Sequence, residues 1–325
     1  MSSFIPPFDW HGVLIQPWAT DYSITLWIVL MGFFVTTACG LVGNYLLLRR
    51  MALVGDAISH SILPGLVISF MIFKQATLWV GFAGAFAAAI VTVLLIEFIH
   101  RQSRVKPDAA ICIAFTTLFA LGVILMSAME SKGAFHIDSD SILYGEIAFV
   151  HLEPFVVWNE WALGPPSVLR MGATCLVLFT AILLFYKELL ITSFDADLSK
   201  SLGMSTGIWY YGLMGALSLA IVSAFEAVGA ILAVAMLIVP PMFAGQLSQR
   251  LPVRLMLTVL HAALASLIGL HLSVWLKCST AGAMVVASAL LFCLAWIHSG
   301  IRTMIFRFHS RTELSPALEQ GVKAN

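Results

Sequence analysis

Long apolar blocks separated by short polar breaks dominate the chain. Apolar residues run almost uninterrupted over 24–48, 55–73, 78–99, 109–129, 168–187, 208–224, 227–247, 254–275 and 282–304. Most blocks approach the ~20 residues a helix needs to cross a hydrocarbon core of about 30 Å. The alternation of a membrane β-barrel is absent, so helical spans are expected. The blocks at 208–224 and 227–247 form one apolar stretch divided only around Glu226, which leaves eight or nine spans. The expected fold is all-α, a polytopic helical membrane protein with one transmembrane domain over 1–325.

Composition agrees. Hydrophobic residues make up 60% of the chain, charged residues 10%, and mean hydropathy is +0.97. A soluble domain carries about 25% charged residues, so this chain lacks the polar surface water requires. Its net charge of zero removes any argument for nucleic acid as a partner. The five cysteines occur singly with no CxxC pair, which argues against both a disulfide framework and a thiolate metal site. Pro6, Pro7 and Asp9 interrupt an N-terminus without basic residues, so no cleavable signal peptide is expected.

Lys and Arg placement sets the expected orientation, because basic residues accumulate on the cytoplasmic side. With the N-terminus outside, the inner side receives Arg49, Arg50, Arg101, Arg104, Lys106, Lys187, Lys200, Arg250, Arg254, Arg302, Arg307, Arg311 and Lys323. The outer side receives only Lys74, Lys132, Arg170 and Lys277. Segment 1–20 is then outside and 305–325 is a cytoplasmic tail. The stretch 130–166, with Trp158 and Trp161 as interfacial anchors, forms the longest outer segment.

After Arg49-Arg50 the chain turns apolar at once and re-enters the membrane carrying Gly55-Asp56-Ala-Ile-Ser59-His60. Asp56 and His60 are four apart, so on a helix they share one face. A carboxylate near mid-membrane costs at least ~2.5–3.5 kcal/mol and tends to face a pathway or a partner. Carboxylate plus imidazole suits Mn²⁺, Zn²⁺ or Fe²⁺, and Ser59 and Ser61 add hydroxyls nearby. The plainer alternative makes Asp56 the N-cap of the second helix and His60 a bonded core histidine.

The text around this pair, Arg49-Arg-Met-Ala-Leu-Val-Gly-Asp-Ala-Ile-Ser-His-Ser-Ile-Leu-Pro-Gly65, closely resembles the signature of the zinc/manganese/iron permease family of ATP-binding-cassette importers. Arg104-Val-Lys-Pro-Asp-Ala-Ala-Ile-Cys-Ile-Ala-Phe115, Leu143-Tyr-Gly-Glu-Ile-Ala-Phe149 and Phe185-Tyr-Lys-Glu-Leu189 are similar to further motifs of that family. So are Ser193-Phe-Asp-Ala-Asp-Leu-Ser-Lys-Ser-Leu-Gly203 and Ala224-Phe-Glu-Ala-Val-Gly-Ala-Ile-Leu-Ala-Val-Ala-Met-Leu-Ile-Val-Pro240. The family motif then usually continues Pro-Ala-Ala/Thr-Ala, whereas this chain reads Pro240-Pro241-Met242-Phe243-Ala244.

The resemblance implies the fold of the permeases that carry vitamin B12 and siderophores. It also implies a second permease chain, identical or paralogous, two cytoplasmic ATPases, and a periplasmic or lipid-anchored metal-binding protein. Asp56 and His60 from two chains would then converge near an axis as a transient site for the transported ion, with no resident cofactor. The chain has no G-x-x-x-x-G-K-[ST] phosphate loop, so it is read as a transport subunit rather than an enzyme. Two segments compete to receive the ATPase. In 193–202, Phe194, Leu198 and Leu202 form an apolar stripe stopped by Gly203, and in 240–254, Phe243, Leu247 and Leu251 do the same. Likeness to the larger architecture favours the second.

Glu226 is a weaker metal candidate, expected in a turn near the outer face. Glu97 and His100 are read as interfacial, His261 and His271 as satisfied core groups, and His136, Asp138, Asp140, Glu146, His151 and Glu153 as outer-loop residues. An ion-coupled secondary transporter would bury more titratable groups and need no docking stripe. A permease for a chelated ligand would not need the Asp56/His60 pair. An intramembrane metalloprotease would carry H-E-x-x-H, which is absent.

Overall fold

The computed structural model describes residues 6–74, 77–130, 147–158 and 161–322. A π-helical turn, His11–Ile15, leads into α1 (Gln16–Thr20), α2 (Tyr22–Leu48), α3 (Leu53–Phe73), α4 (Leu78–Gln102) and α5 (Pro107–Glu130). A 3-10 turn at Ile147–Leu152 precedes β1 (Val156–Trp158) and β2 (Trp161–Gly164), a short antiparallel hairpin. Then follow α6 (Pro166–Leu184), α7 (Tyr186–Phe194), α8 (Ala196–Ser201), α9 (Thr206–Leu247), α10 (Leu251–Leu276) and α11 (Thr280–Val322). Among the described residues, eight helical segments are long and apolar enough to cross a membrane, by length and composition. They match eight of the nine apolar blocks. The tail from 305 continues α11 rather than ending it, and residues 131–146, including His136, Asp138, Asp140 and Glu146, lie outside the described residues.

The ninth block, 227–247, is the return arm of a hairpin. Gly229 has φ 72 and ψ 174 inside α9, a region of backbone space open essentially to glycine alone. Ile221 and Leu237 both stand at Gly55, where an added Cβ would meet them at 3.7 and 2.2 Å. A straight helix would separate those two residues by about 24 Å. The chain therefore folds back at Gly229, from a longer arm that starts at Thr206 to a shorter one that ends at Leu247. The division is set at Gly229 rather than at Glu226, whose backbone is helical and whose side chain lies outside the described residues.

α2 is the central post, buried nearly continuously from Val35 to Leu46, and it packs against α6, α9 and α10. Asn44 fixes it to α10 by donating to Thr258 Oγ1 at 2.9 Å. α3 lies between α4 and α5. There, Gly65 and Gly84 let two backbones meet: a Cβ on Gly65 would come within 2.2 Å of the Gly84 carbonyl oxygen, and one on Gly84 within 2.4 Å of Gly65's. Small residues at such crossings allow helices to pack where lipid supplies no hydrophobic drive. Thr92 adds a bond from α4 to Ser61 Oγ at 2.6 Å.

The N-terminal segment is strapped to the far end of α10. Trp275 Nε1 donates to the Pro6 carbonyl at 3.0 Å, and Trp18 Nε1 donates to His271 Nε2 at 3.4 Å. His271 Nδ1 in turn pairs with the Val13 carbonyl at 2.9 Å, so both of its nitrogens are engaged. His261 is bonded on one side only, through Nε2 to Ser288 Oγ at 2.7 Å.

Candidate metal site and cytoplasmic coupling face

α3 begins at Leu53 behind Ala52, so Asp56 sits inside the first turn and is not the cap. His60 Nε2 lies 3.4 Å from Asp56 Oδ1, the i, i+4 geometry expected of the pair. On α5, Phe115 and Phe119 flank the imidazole with ring centroids at 5.8 and 5.7 Å. The two polar side chains keep 39% and 26% of their surface open, while Ala57, Ile58 and Ser59 beside them are buried. The pair thus faces outward from this chain at a level where its neighbours are sealed. Ser59 and Ser61 do not join it. Their hydroxyls donate to the Asp56 and Ala57 carbonyls at 2.8 and 2.6 Å, satisfying the helix's own backbone. Among the described residues no group of three or more His, Cys, Asp or Glu side chains could hold an ion. One chain offers two donors, half of a four-coordinate site.

The two candidate docking stripes part company. Phe243 and Leu251 are 8% and 5% exposed, and Phe243 packs against the His261 ring at 4.5 Å and in a cluster with Ala244 and Ala295. Leu247 is partly buried in that cluster. Leu247 ends α9 and Leu251 starts α10. The stripe is spent inside this chain, which corrects the preference for 240–254. The departure at Pro240-Pro241 belongs to the same packing, with both prolines inside the return arm of α9 and the Pro241 ring set against Gly43.

Phe194, Leu198 and Leu202, by contrast, are 65%, 49% and 58% exposed. Asp195 caps α8, its carboxylate accepting from the Asp197 and Leu198 amides at 3.0 and 2.9 Å. Gly203, at φ 77, ends the turn as expected.

Beside α7 lies Arg49, visible in the sequence as inner-side charge and as the first residue of the family motif. Arg49 Nε donates to Ser193 Oγ at 3.0 Å, Nη2 donates to Thr192 Oγ1 at 3.1 Å, and the guanidinium stands 6.0 Å from the Tyr210 ring centroid. Burial draws its pKa below the ordinary arginine value, opposed by Tyr210. Arg49, Arg50, Glu97, His100, Asp108 and Tyr210 are among the residues lining a cavity of about 420 Å³ at this end of the bundle. Glu97 pairs with Arg101, and His100 Nδ1 meets the Val105 carbonyl at 3.2 Å.

Residues 21–299 match the profile of the ABC 3 transport family. The chain belongs to the ABC 3 transport family. This ABC 3 chain is 40% identical over 276 residues to the zinc transport system membrane protein TroD of Treponema pallidum, covering 85% of this chain and 74% of that one. It is 38% identical over 277 residues to the manganese transport system membrane protein MntD of Bacillus subtilis, covering 85% and 92%. Among solved structures it is similar to PsaBC of Streptococcus pneumoniae in complex with Fab, at 30% identity and TM-score 0.71, covering 87% and 94%. A metal-chelate type ABC transporter in an inward-facing conformation shares the fold at 17% identity and TM-score 0.62, covering 89% and 91%.

Proposed function

We propose that this chain is the membrane-spanning permease of an ATP-driven importer of divalent transition metals (Mn, Zn or Fe), and that Asp56 and His60 bind the ion in transit. The observation that carries the site is an aspartate and a histidine aligned on α3 and left open where the surrounding helix is buried. Lipid would penalise an ionisable pair on that face, so a pathway or a second copy is its natural neighbour. A second permease chain brings two more donors, giving two carboxylates and two imidazoles, a set adequate for brief retention of a borderline ion.

The remaining parts follow from what this chain lacks or leaves exposed. ATP hydrolysis comes from separate cytoplasmic subunits, because no phosphate loop is present. The open stripe Phe194, Leu198 and Leu202 on α7 and α8 is the surface that receives one of them. A periplasmic or lipid-anchored binding protein delivers the metal from the opposite side. We place the chain in a bacterial inner membrane with the N-terminus outside and the C-terminus cytoplasmic, the orientation that the asymmetry of Lys and Arg favours.

The test is uptake of Mn²⁺, Zn²⁺ and Fe²⁺ by cells carrying Asp56→Ala or His60→Ala, with the membrane level of each variant verified. Uptake is expected to fall about tenfold or more, since loss even of groups that only support a metal ligand costs 10–100-fold. Normal uptake of all three ions by both variants would remove the site.

A further inference from the structure

The turn between α2 and α3 is built to be stiff. Arg50 stands at φ 58, a left-handed conformation uncommon for a residue other than glycine. The Arg50 amide donates to the Leu47 carbonyl and the Met51 amide to the Leu46 carbonyl, at 3.1 and 3.0 Å. That pair of bonds is a Schellman closure, which normally carries glycine at the left-handed position. α3 restarts at Leu53, and Asp56 follows in its first turn. Whatever displaces Arg49 therefore displaces the first turn of α3 with it, because no slack backbone lies between them.

The Arg49 side chain reaches the opposite way, to the last residues of α7. Thr192 and Ser193 are 6% and 8% exposed, and they directly precede Phe194, the first residue of the open stripe. A cation at the end of a helix also complements its carbonyl dipole. The third contact, the Tyr210 ring, belongs to the start of α9, the hairpin whose arms meet α3 at Gly55. All three contacts are hydroxyls or a ring face, not a carboxylate. Such bonds hold a guanidinium in place yet are weaker than an ion pair, so the clasp can be remade in a second arrangement.

We propose that Arg49 is the positioning residue that couples movement of the α7–α8 foot to the helix carrying Asp56 and His60. The proposal rests on the permease reading, with the ATPase seated on Phe194, Leu198 and Leu202. Arg49 touches neither metal nor nucleotide; it carries displacement from one site to the other.

The experiment uses the complete transporter in proteoliposomes, measuring ATP hydrolysis and Mn²⁺ or Zn²⁺ uptake in the same preparation. The variants are Arg49→Gln, Arg49→Lys and the double variant Thr192→Val/Ser193→Ala, which keeps the cation and removes both acceptors. Metal delivered per ATP is expected to fall about tenfold in Arg49→Gln and in the double variant, a size ordinary for coupling between sites, with hydrolysis continuing. Arg49→Lys should recover part of the ratio, since an ammonium lacks the fork that spans two acceptors. A ratio unchanged in the double variant overturns the proposal, whether or not Arg49→Gln assembles. Hydrolysis and uptake falling in proportion also overturns it, since that marks a structural role. Asp56→Ala run alongside separates the two readings: normal uptake there removes the metal site, while the ratio in the double variant still reports on the clasp.

Discussion

Replacing Gly65 by alanine drives a methyl group into the backbone of α4. The new carbon would lie 2.2 Å from the Gly84 carbonyl oxygen and 2.5 Å from Ala88 Cβ, whereas ordinary contact begins at 3.4 Å. No side-chain rotation relieves a clash with a carbonyl, so α3 and α4 must part by roughly 1 Å. Overpacking against an immovable carbonyl falls in the upper part of the usual range, about 2–3 kcal/mol, and alanine returns about 1 kcal/mol of helix propensity, which leaves a net loss of about 1–2 kcal/mol. Gly84→Ala meets the reciprocal obstruction at 2.4 Å from the Gly65 oxygen and should lose a similar amount. The double variant is the sharper test. Once the helices have separated for the first methyl, the second finds room, so the combined loss should fall short of the sum by more than the ~0.5 kcal/mol scatter of independent sites. Thermal unfolding of the purified complex, followed by the loss of metal-stimulated ATPase, would give the ranking. Gly207→Ala is the control, because a carbon added there meets nothing within 4 Å. Both single variants matching the wild type, or strictly additive losses, would refute the reasoning about this crossing.

Two further outcomes can be checked. Gly229→Ala forces a side chain onto φ 72, ψ 174 and should cost about 1–3 kcal/mol, read as a lower midpoint in the same unfolding assay; an unchanged midpoint would show that the hairpin does not need that conformation. Phe194→Asp with Leu198→Asp should strip the ATPase from a complex that otherwise remains folded, whereas Phe243→Asp should lower the yield of folded chain by placing a charge in a buried cluster. Co-purification and size-exclusion profiles distinguish the two, and an ATPase still bound to the Phe194/Leu198 variant would reject the docking face.

The eight spans were legible because their signal is length and hydropathy, which local packing does not alter. The α9 hairpin was not legible in detail: Glu226 drew attention as the one charged residue in the stretch, yet the backbone reverses at Gly229, and glycines in membrane helices more often serve packing. The Asp56/His60 face was visible from spacing alone. That Ser59 and Ser61 turn back onto their own carbonyls was not, since a helix interior offers serine both choices. The docking stripes had the same four-residue spacing in both candidates, and spacing cannot say whether a stripe meets a partner or the chain's own core. The surroundings could have decided it: Asp195, Asp197 and Lys200 accompany Leu198, whereas Ile238, Val239 and Ala244 accompany Phe243. Arg49 stood out as inner-side charge and as the first residue of a family motif but not as a clasp, because its partners, Thr192, Ser193 and Tyr210, lie more than 140 residues away in sequence.

The reversal at Gly229 also bears on how the chain enters the bilayer. With the reversal at Gly229, the return arm 230–247 spans about 27 Å as a helix, a little under the ~30 Å hydrocarbon layer. That length is at the lower limit for a crossing, so its turn sits at or just inside the edge of the layer, where open backbone is tolerated only against protein or water. Neither condition exists while that stretch is still emerging from the ribosome and alone in lipid. Biogenesis of α9 must then wait for α2 and α3 to be in place, so that the hairpin is inserted as one unit into a cleft its own N-terminal helices have already formed.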